Sequence, residues 1–335
     1  MSKANKSQIV IVTIRVLINS LLSLFVRIGF RKYHKLRKIS LMKHTKTYLG
    51  LSTMVIIGVT TYNIIQKNLL AFEPMVISTI TLILATLFLW FLHFLLHKKM
   101  QSDFKKLLTL SIGGLLGIAG FHFYISMALE EMSLDVALLF IGGIPLMTLV
   151  GALLIGKKTR FRNIFWVFFS LFGVLLINFP MMHLMTFMPK TVGMMLLANL
   201  CLVFYTLLNE KMSLKYDLRE IVTLQVTTGT IILVMSFIYK METLTYNLKE
   251  LAQTLVDLKI VGSILFLALF AVCASYYLYN DGLKKVGAVM TALFINLIPV
   301  ISLLYKLFLN DDQLRFTGIL GSLMILVSMY MIEDI

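Results

Sequence analysis

Charge is scarce in this chain, and acid is scarcest. Charged residues make up 14% of 335, and Asp and Glu together number only 16. A soluble domain carries about 25% charged residues. So little charge beside 59% hydrophobic residues excludes an ordinary water-soluble domain, which could not hide that much apolar surface. Cysteine is nearly absent. Cys201 and Cys273 each lie inside an apolar run, with no second Cys or His at ligand spacing. That excludes a disulfide scaffold, a zinc ribbon and a CxxC redox pair, and leaves both as small core residues. No GxxxxGK[ST] is present, so nothing in the chain is built to spend ATP. HExxH, GxSxG and paired acids on an apolar helix are missing too, which removes the usual signatures of intramembrane enzymes. No enzyme, cofactor or metal site is expected. The basic and then apolar start has no small-residue cleavage site after it, so no cleavable secretory signal is expected.

What is present is apolar length. Mean hydropathy is +0.90. About 20 apolar residues in a helix cross a hydrocarbon core of about 30 Å. Ten runs qualify, near 47–67, 74–97, 107–128, 134–155, 163–180, 191–208, 221–239, 259–280, 286–308 and 315–332. They are apolar on all sides, unlike the alternating strands of a membrane barrel. Connections are short, Gly156 to Arg162 being typical, and none could hold a soluble catalytic domain. The longest, near 240–258, includes Asn247 to Leu251 and suits a short surface helix.

The net charge of +15 would suggest nucleic acid in a soluble protein. Its placement argues otherwise. With the amino terminus in the cytoplasm, 24 of the 31 Lys and Arg fall on the inner side, 6 fall outside, and Lys306 lies within a helix. That bias predicts both termini in the cytoplasm, with basic loops against anionic headgroups and no nucleic-acid partner. A bacterial plasma membrane is the expected location.

The first 46 residues differ in character. Arg15, Asn19, Ser23, Arg27 and Arg31 recur every four residues and spread over one polar face of a helix. This predicts a basic amphipathic segment on the membrane surface. Two other readings stay open. One is an eleventh crossing, which would place Arg15 in hydrocarbon. The other is a start at Met42.

The remainder reads as two halves, 47–180 and 190–333. An offset of 154 carries Leu129 to Leu283, Leu139 to Leu293, Phe140 to Phe294, Ile144 to Ile298 and Pro145 to Pro299. An offset of 143 carries Gly50 to Gly193, Tyr62 to Tyr205 and Gln66 to Asn209. Five helices per half is an odd number, so the second half enters from the opposite face, as the charge bias also requires. The expected fold is all-α and polytopic, about ten transmembrane helices in two inverted five-helix repeats. Inverted repeats of this kind build secondary carriers that work by alternating access.

Ala128 to Ala137 followed by Ile144-Pro145-Leu146, and Gly282 to Ala288 followed by Leu297-Ile298-Pro299-Val300, resemble the two hallmark segments of the drug/metabolite transporter superfamily in its EamA-type branch. The resemblance spans about 47–333. Gly156-Lys157-Lys158 and Asn310-Asp311-Asp312 stand where a Gly-Glu pair is common, and Thr81 where an Arg is common. The resemblance implies a permease for a small organic metabolite, most commonly an exporter of amino acids, amines or related compounds, with import and nucleotide-sugar exchange left open. The alternative is a flippase-type carrier or subunit for a lipid-linked sugar or amphiphile. It also implies a cavity lined by helices one, three, four, six, eight and nine.

Polar groups in hydrocarbon face a cavity or a partner. His122 and Ser126 share a face of helix three, and at the 154 offset they fall on Tyr276 and Asn280 of helix eight. Tyr62 and Asn63 in helix one, Asn199 and Tyr205 in helix six, and Asn296 in helix nine complete a candidate ring for the solute. Each could instead serve interhelical hydrogen bonding. His122 is the candidate for proton coupling. Pro145 and Pro299 are candidate kink points for gating. Glu130, Glu131, Asp135 and Asp281 read as caps at helix ends, and Lys306 as a snorkelling side chain. The assembly is expected to be a monomer or a homodimer.

Overall fold

A computed structural model of the chain describes residues 31–96, 103–182, 188–241, 257–308 and 315–332, those at 31–43, 180–182, 241 and 308 by backbone only. The face from Arg15 to Arg27, the segment Asn247 to Leu251 and Asn310-Asp311-Asp312 lie outside the described residues. The chain divides into two compact units, Met1–Thr45 and Lys46–Ile335. In the first unit the described residues, 31–45, are helical. All that follows concerns the second.

Among the described residues every regular element is helical. Nine spans among the described residues are long and apolar enough to cross a membrane. They are α1 (His44–Leu69), α2 (Pro74–Leu95), α3 (Phe104–Leu129), α4 (Leu134–Leu154), α5 (Phe161–Phe179), α6 (Pro189–Lys215), α7 (Leu218–Lys240), α8 (Leu258–Val286) and α9 (Ala288–Leu307). The tenth, α10 (Phe316–Met331), has 16 residues. At 1.5 Å per residue it reaches about 24 Å, short of a hydrocarbon core of about 30 Å.

Helix ends follow local chemistry. Pro74 and Pro189 occupy first turns, where a missing N–H costs nothing. Ser133 caps α4 and Asp257 caps α8 by accepting backbone N–H bonds. Gly287, at φ +83°, makes the tight link between α8 and α9, a backbone that side chains rarely tolerate. Large apolar residues such as Leu154, Phe161, Phe91 and Phe172 point outward. An apolar exterior of this kind belongs against lipid.

The largest core joins α1, α4, α6, α8 and α9 through Leu51, Leu149, Tyr205, Tyr279 and Leu293. A second joins α2, α3, α7 and α8 through Leu82, Ile118, Val226 and Val272. Helices α5 and α10 cross backbone to backbone. A Cβ added at Gly173 would stand 2.6 Å from the Gly321 carbonyl, so only glycine allows this approach.

The two halves share two irregularities as well as their helix order, whereas the π turn ending α1, Ile65–Leu69, has no counterpart in α6. In α3 a π-helical stretch, Gly114–Gly120, interrupts the α-helix, and α8 carries one at Leu267–Ala274. The 154 offset superposes them. Helix α4 breaks at Gly142-Gly143 between Leu134–Ile141 and Ile144–Leu154. Helix α9 is interrupted at the equivalent place by a 3₁₀ turn, Phe294–Asn296, before Leu297–Phe308. Pro145 and Pro299 therefore sit in the first turn of a second helical piece. They start a segment and do not bend a continuous helix.

Candidate functional site

The π segments bring the polar faces of α3 and α8 together. Side-chain hydroxyls add hydrogen bonds to carbonyls of both π segments. Tyr276 Oη donates to the Gly117 carbonyl at 3.0 Å, and Ser275 Oγ donates to the Phe270 carbonyl at 2.9 Å. Tyr276 Oη also stands 3.5 Å from His122 Nε2. Gly117 gives the Tyr205 ring its seat, since a Cβ there would lie 1.9 Å from the ring. Asn280 Nδ2 donates to Tyr205 Oη at 2.8 Å. The rings of Tyr205 and Tyr276 meet edge to face at 5.7 Å, and Tyr279 stacks on Tyr205 at 6.4 Å. Beneath them Thr206 and Tyr279 share a 2.7 Å hydrogen bond, and Asn209 and Gln225 pair through both amides at 2.9 and 2.7 Å.

Of the nine side chains expected to form one ring, His122, Tyr205, Tyr276 and Asn280 are thus joined. The other five lie elsewhere. Ser126 meets Ser78 of α2 at 3.0 Å. Asn199 donates at 2.7 Å to the Phe140 carbonyl beside the break in α4. Asn296, in the break of α9, donates at 3.0 Å to Ser170 of α5. Each helix break is therefore held by an asparagine. Asn63 bonds the Val59 carbonyl within its own helix and lines a cavity of about 160 Å³ with Lys67, Asn68 and Tyr305. Asn199, Asn280 and Asn296 are buried, and the Oδ1 atom of each has no hydrogen-bond partner among the described residues.

Tyr62 belongs to a different arrangement. Its hydroxyl donates to Asp135 Oδ1 at 2.5 Å and accepts from Gln66 Nε2 at 2.6 Å. Lys306 Nζ lies 3.8 Å from the same carboxylate. The end of α1, the start of α4 and the end of α9 are thereby tied on the face opposite the basic one. On the basic face Glu210 of α6 pairs with Lys157, just past α4, and accepts from the Ala288 N–H at the start of α9 at 3.2 Å. The repeat exchanges α1 with α6 and α4 with α9, so it also exchanges these two ties.

The ends of α3 and α7 are fastened twice. Lys106 and Glu220 pair at 2.5 Å on the basic face, and Lys240 and Glu130 pair on the other. Glu131 accepts from Thr191 at 2.7 Å with Lys190 at 3.7 Å. That hydrogen bond first, and the lysine second, hold its carboxyl below the usual range.

Glu210, Lys157, Gln225 and Tyr279 were not among the expected site residues. Gln66 facing Asn209 at the 143 offset was the one signal near them. A cavity of about 820 Å³ between α2, α7 and α8 is lined by none of the nine expected residues.

A family model described as the EamA-like transporter family matches residues 44–179 and again 189–333. The chain belongs to the EamA-like transporter family. The first match covers α1 to α5 and the second α6 to α10. An uncharacterized transporter YyaM of Bacillus subtilis is 24% identical over 85% of this chain and 93% of its own. An uncharacterized transporter of Archaeoglobus fulgidus is 22% identical over 86% and 98%. One solved crystal structure, 14% identical, superposes with a TM-score of 0.68 over 85% of this chain and 96% of its own, a likeness of fold alone. The EamA-like protein is thus a multi-pass membrane transporter of two repeated five-helix halves.

Proposed function

We propose that this EamA-like protein is a secondary carrier that exports a small organic solute by alternating access, with both termini on the basic, cytoplasmic side of a plasma membrane. The observation that carries this reading is the pair of ties exchanged by the repeat. Asp135 with Tyr62 and Lys306 closes one face, and Glu210 with Lys157 and the Ala288 N–H closes the other. A carrier needs closures that open in turn. Their side chains are 13% to 33% exposed, so each pair is partly wet and weak enough to break within a transport cycle.

The centre between the ties is the proposed solute site. Tyr205, Tyr276, Asn280 and His122 supply aromatic faces and polar atoms. The unpartnered carbonyl oxygen of Asn280 would accept from a solute carrying N–H or O–H donors, which favours amino acids and amines. Pro145 and Pro299, each opening a second helical piece, are the proposed hinges. His122, in reach of Tyr276, is the proposed proton carrier.

The test is flux into vesicles reconstituted with the purified protein, against a panel of amino acids and amines. Saturable counterflow of at least one supports the reading. No flux across the panel, together with passage of a lipid-linked substrate, replaces it with a flippase. Full pH dependence of flux in His122→Gln removes the proton coupling.

A further inference from the structure

The cavity of about 820 Å³ between α2, α7 and α8 is used by no part of the proposed transport path. It has two ends of opposite chemistry. Its mouth, on the basic face, carries His93, Lys106, Lys215 and Arg219, with Asp217 and Glu220. Glu220 is committed to Lys106 at 2.5 Å. Asp217 stands 4.0 Å from Arg219, at the limit of an ion pair, and both are about half exposed. Lys215 has no carboxylate within 4.0 Å among the described residues. Its ammonium lies 5.1 Å from the centre of the Tyr216 ring, and the Lys106 ammonium lies 5.5 Å from that same ring. Two cations are therefore gathered around one tyrosine, with Arg219 beside them.

The interior is apolar. Phe88, Leu89 and Leu92 of α2 face Leu269, Ala274 and Leu278 of α8. From Leu278 to Leu269 the helix climbs about 13 Å. Half of a hydrocarbon core is about 15 Å. The cavity thus runs from the headgroup level to the middle of the bilayer along one leaflet. Its volume suits a ligand of drug or acyl-chain size.

We infer that this cavity is a binding site for an anionic phospholipid of the leaflet on the basic face. The phosphate sits at Lys215 and Arg219, and one acyl chain lies along Phe88, Leu92 and Leu269. Basic pockets between transmembrane helices are suited to such headgroups. The apolar floor selects a lipid over a free anion, and the cations select an anionic lipid over a zwitterionic one. The site is independent of which solute crosses the membrane.

The test is binding by the full chain in detergent, read by native mass spectrometry and by melting temperature. The probes are phosphatidylglycerol, phosphatidylcholine and inorganic phosphate. Phosphatidylglycerol is expected to be retained and to raise the melting temperature, at least tenfold more tightly than phosphatidylcholine. The double variant Lys215→Gln/Arg219→Gln changes only exposed side chains and should lose that preference while melting, without lipid, like the parent. Ala274→Phe narrows the apolar floor with the charge untouched, and should weaken phosphatidylglycerol to a similar degree. Equal binding of the two lipids, or an undiminished preference in the double variant, would overturn the site. Phosphate that competes as well as phosphatidylglycerol would make it an anion site and overturn the lipid assignment.

Discussion

The two ties at the ends of α4 and α9 join equivalent helices with unlike chemistry. On the basic face, Glu210 is a charge-assisted hub. It meets a lysine and also the first N–H of α9, where a helix start favours negative charge. On the other face, Asp135 bonds tightly to a neutral hydroxyl and only loosely to Lys306, at 3.8 Å. The repeat gives each face a tie between equivalent helices, built from residues that are not themselves equivalent. An uneven pair sets which face a carrier prefers to open, since populations follow the difference between two small energies.

Breaking the basic-face tie should have the largest effect. Glu210→Lys places two ammonium groups together and removes the acceptor at Ala288. Flux in reconstituted vesicles should fall at least tenfold, the equivalent of about 1.4 kcal/mol. The exchange Glu210→Lys with Lys157→Glu should recover most of it, because the pair survives with its partners swapped. A swap as inactive as the single change would deny the ion pair a role in closure.

Loss of the opposite tie is expected to cost less. Asp135→Asn keeps a hydrogen bond to Tyr62 and loses the attraction of Lys306, so flux should change about two- to fivefold, in keeping with a partly exposed pair. Thiol labelling of a cysteine placed at Tyr305 or at Lys158, exposed neighbours of Lys306 and Lys157 that leave both ties intact, would show which face has become more accessible. The two variants should expose opposite faces, and increased labelling of the same face in both would break the comparison.

Salt offers a finer reading. Screening weakens exposed charges more than enclosed ones. Raising the salt from 0.05 to about 0.5 M should therefore raise labelling on the Lys306 side more than on the Lys157 side.

The smallest effect concerns Glu131, outside both ties. Its carboxyl is held low in the folded chain by Thr191 and Lys190. The stability it contributes is present above the ordinary carboxylate range and is lost as pH falls through the lower, folded value. Melting curves of the parent and Glu131→Gln should differ slightly at neutral pH and converge in acid. A difference that grew in acid would contradict that sign.

Helix number and inversion were legible because each depends on local quantities, apolar length and the position of Lys and Arg. The tenth helix marks the limit of that argument, since α10 has only 16 residues. The repeat offset was legible in Pro145 and Pro299, but its meaning was not. Periodicity places a proline in a run, and cannot say that the helix has already ended at Gly142-Gly143. The π segments were invisible because packing decides where an extra residue is absorbed. Half of the central cluster was anticipated, in His122, Tyr205, Tyr276 and Asn280, three of them from the equivalent faces of α3 and α8. Ser126 turned to α2 all the same, since spacing orders residues on one helix and does not choose the neighbour. Asp135 and Lys306 looked like a cap and a snorkelling lysine. They are 171 positions apart in the chain, and no local pattern connects them.

The odd number of helices in each half has a consequence for the halves as separate objects. A five-helix piece made alone keeps its two ends on opposite sides of the bilayer. Two copies of one piece could build this architecture only by inserting in opposite directions. Joining the halves in one chain removes that ambiguity, because the covalent link between α5 and α6 turns a choice of orientation into a matter of counting.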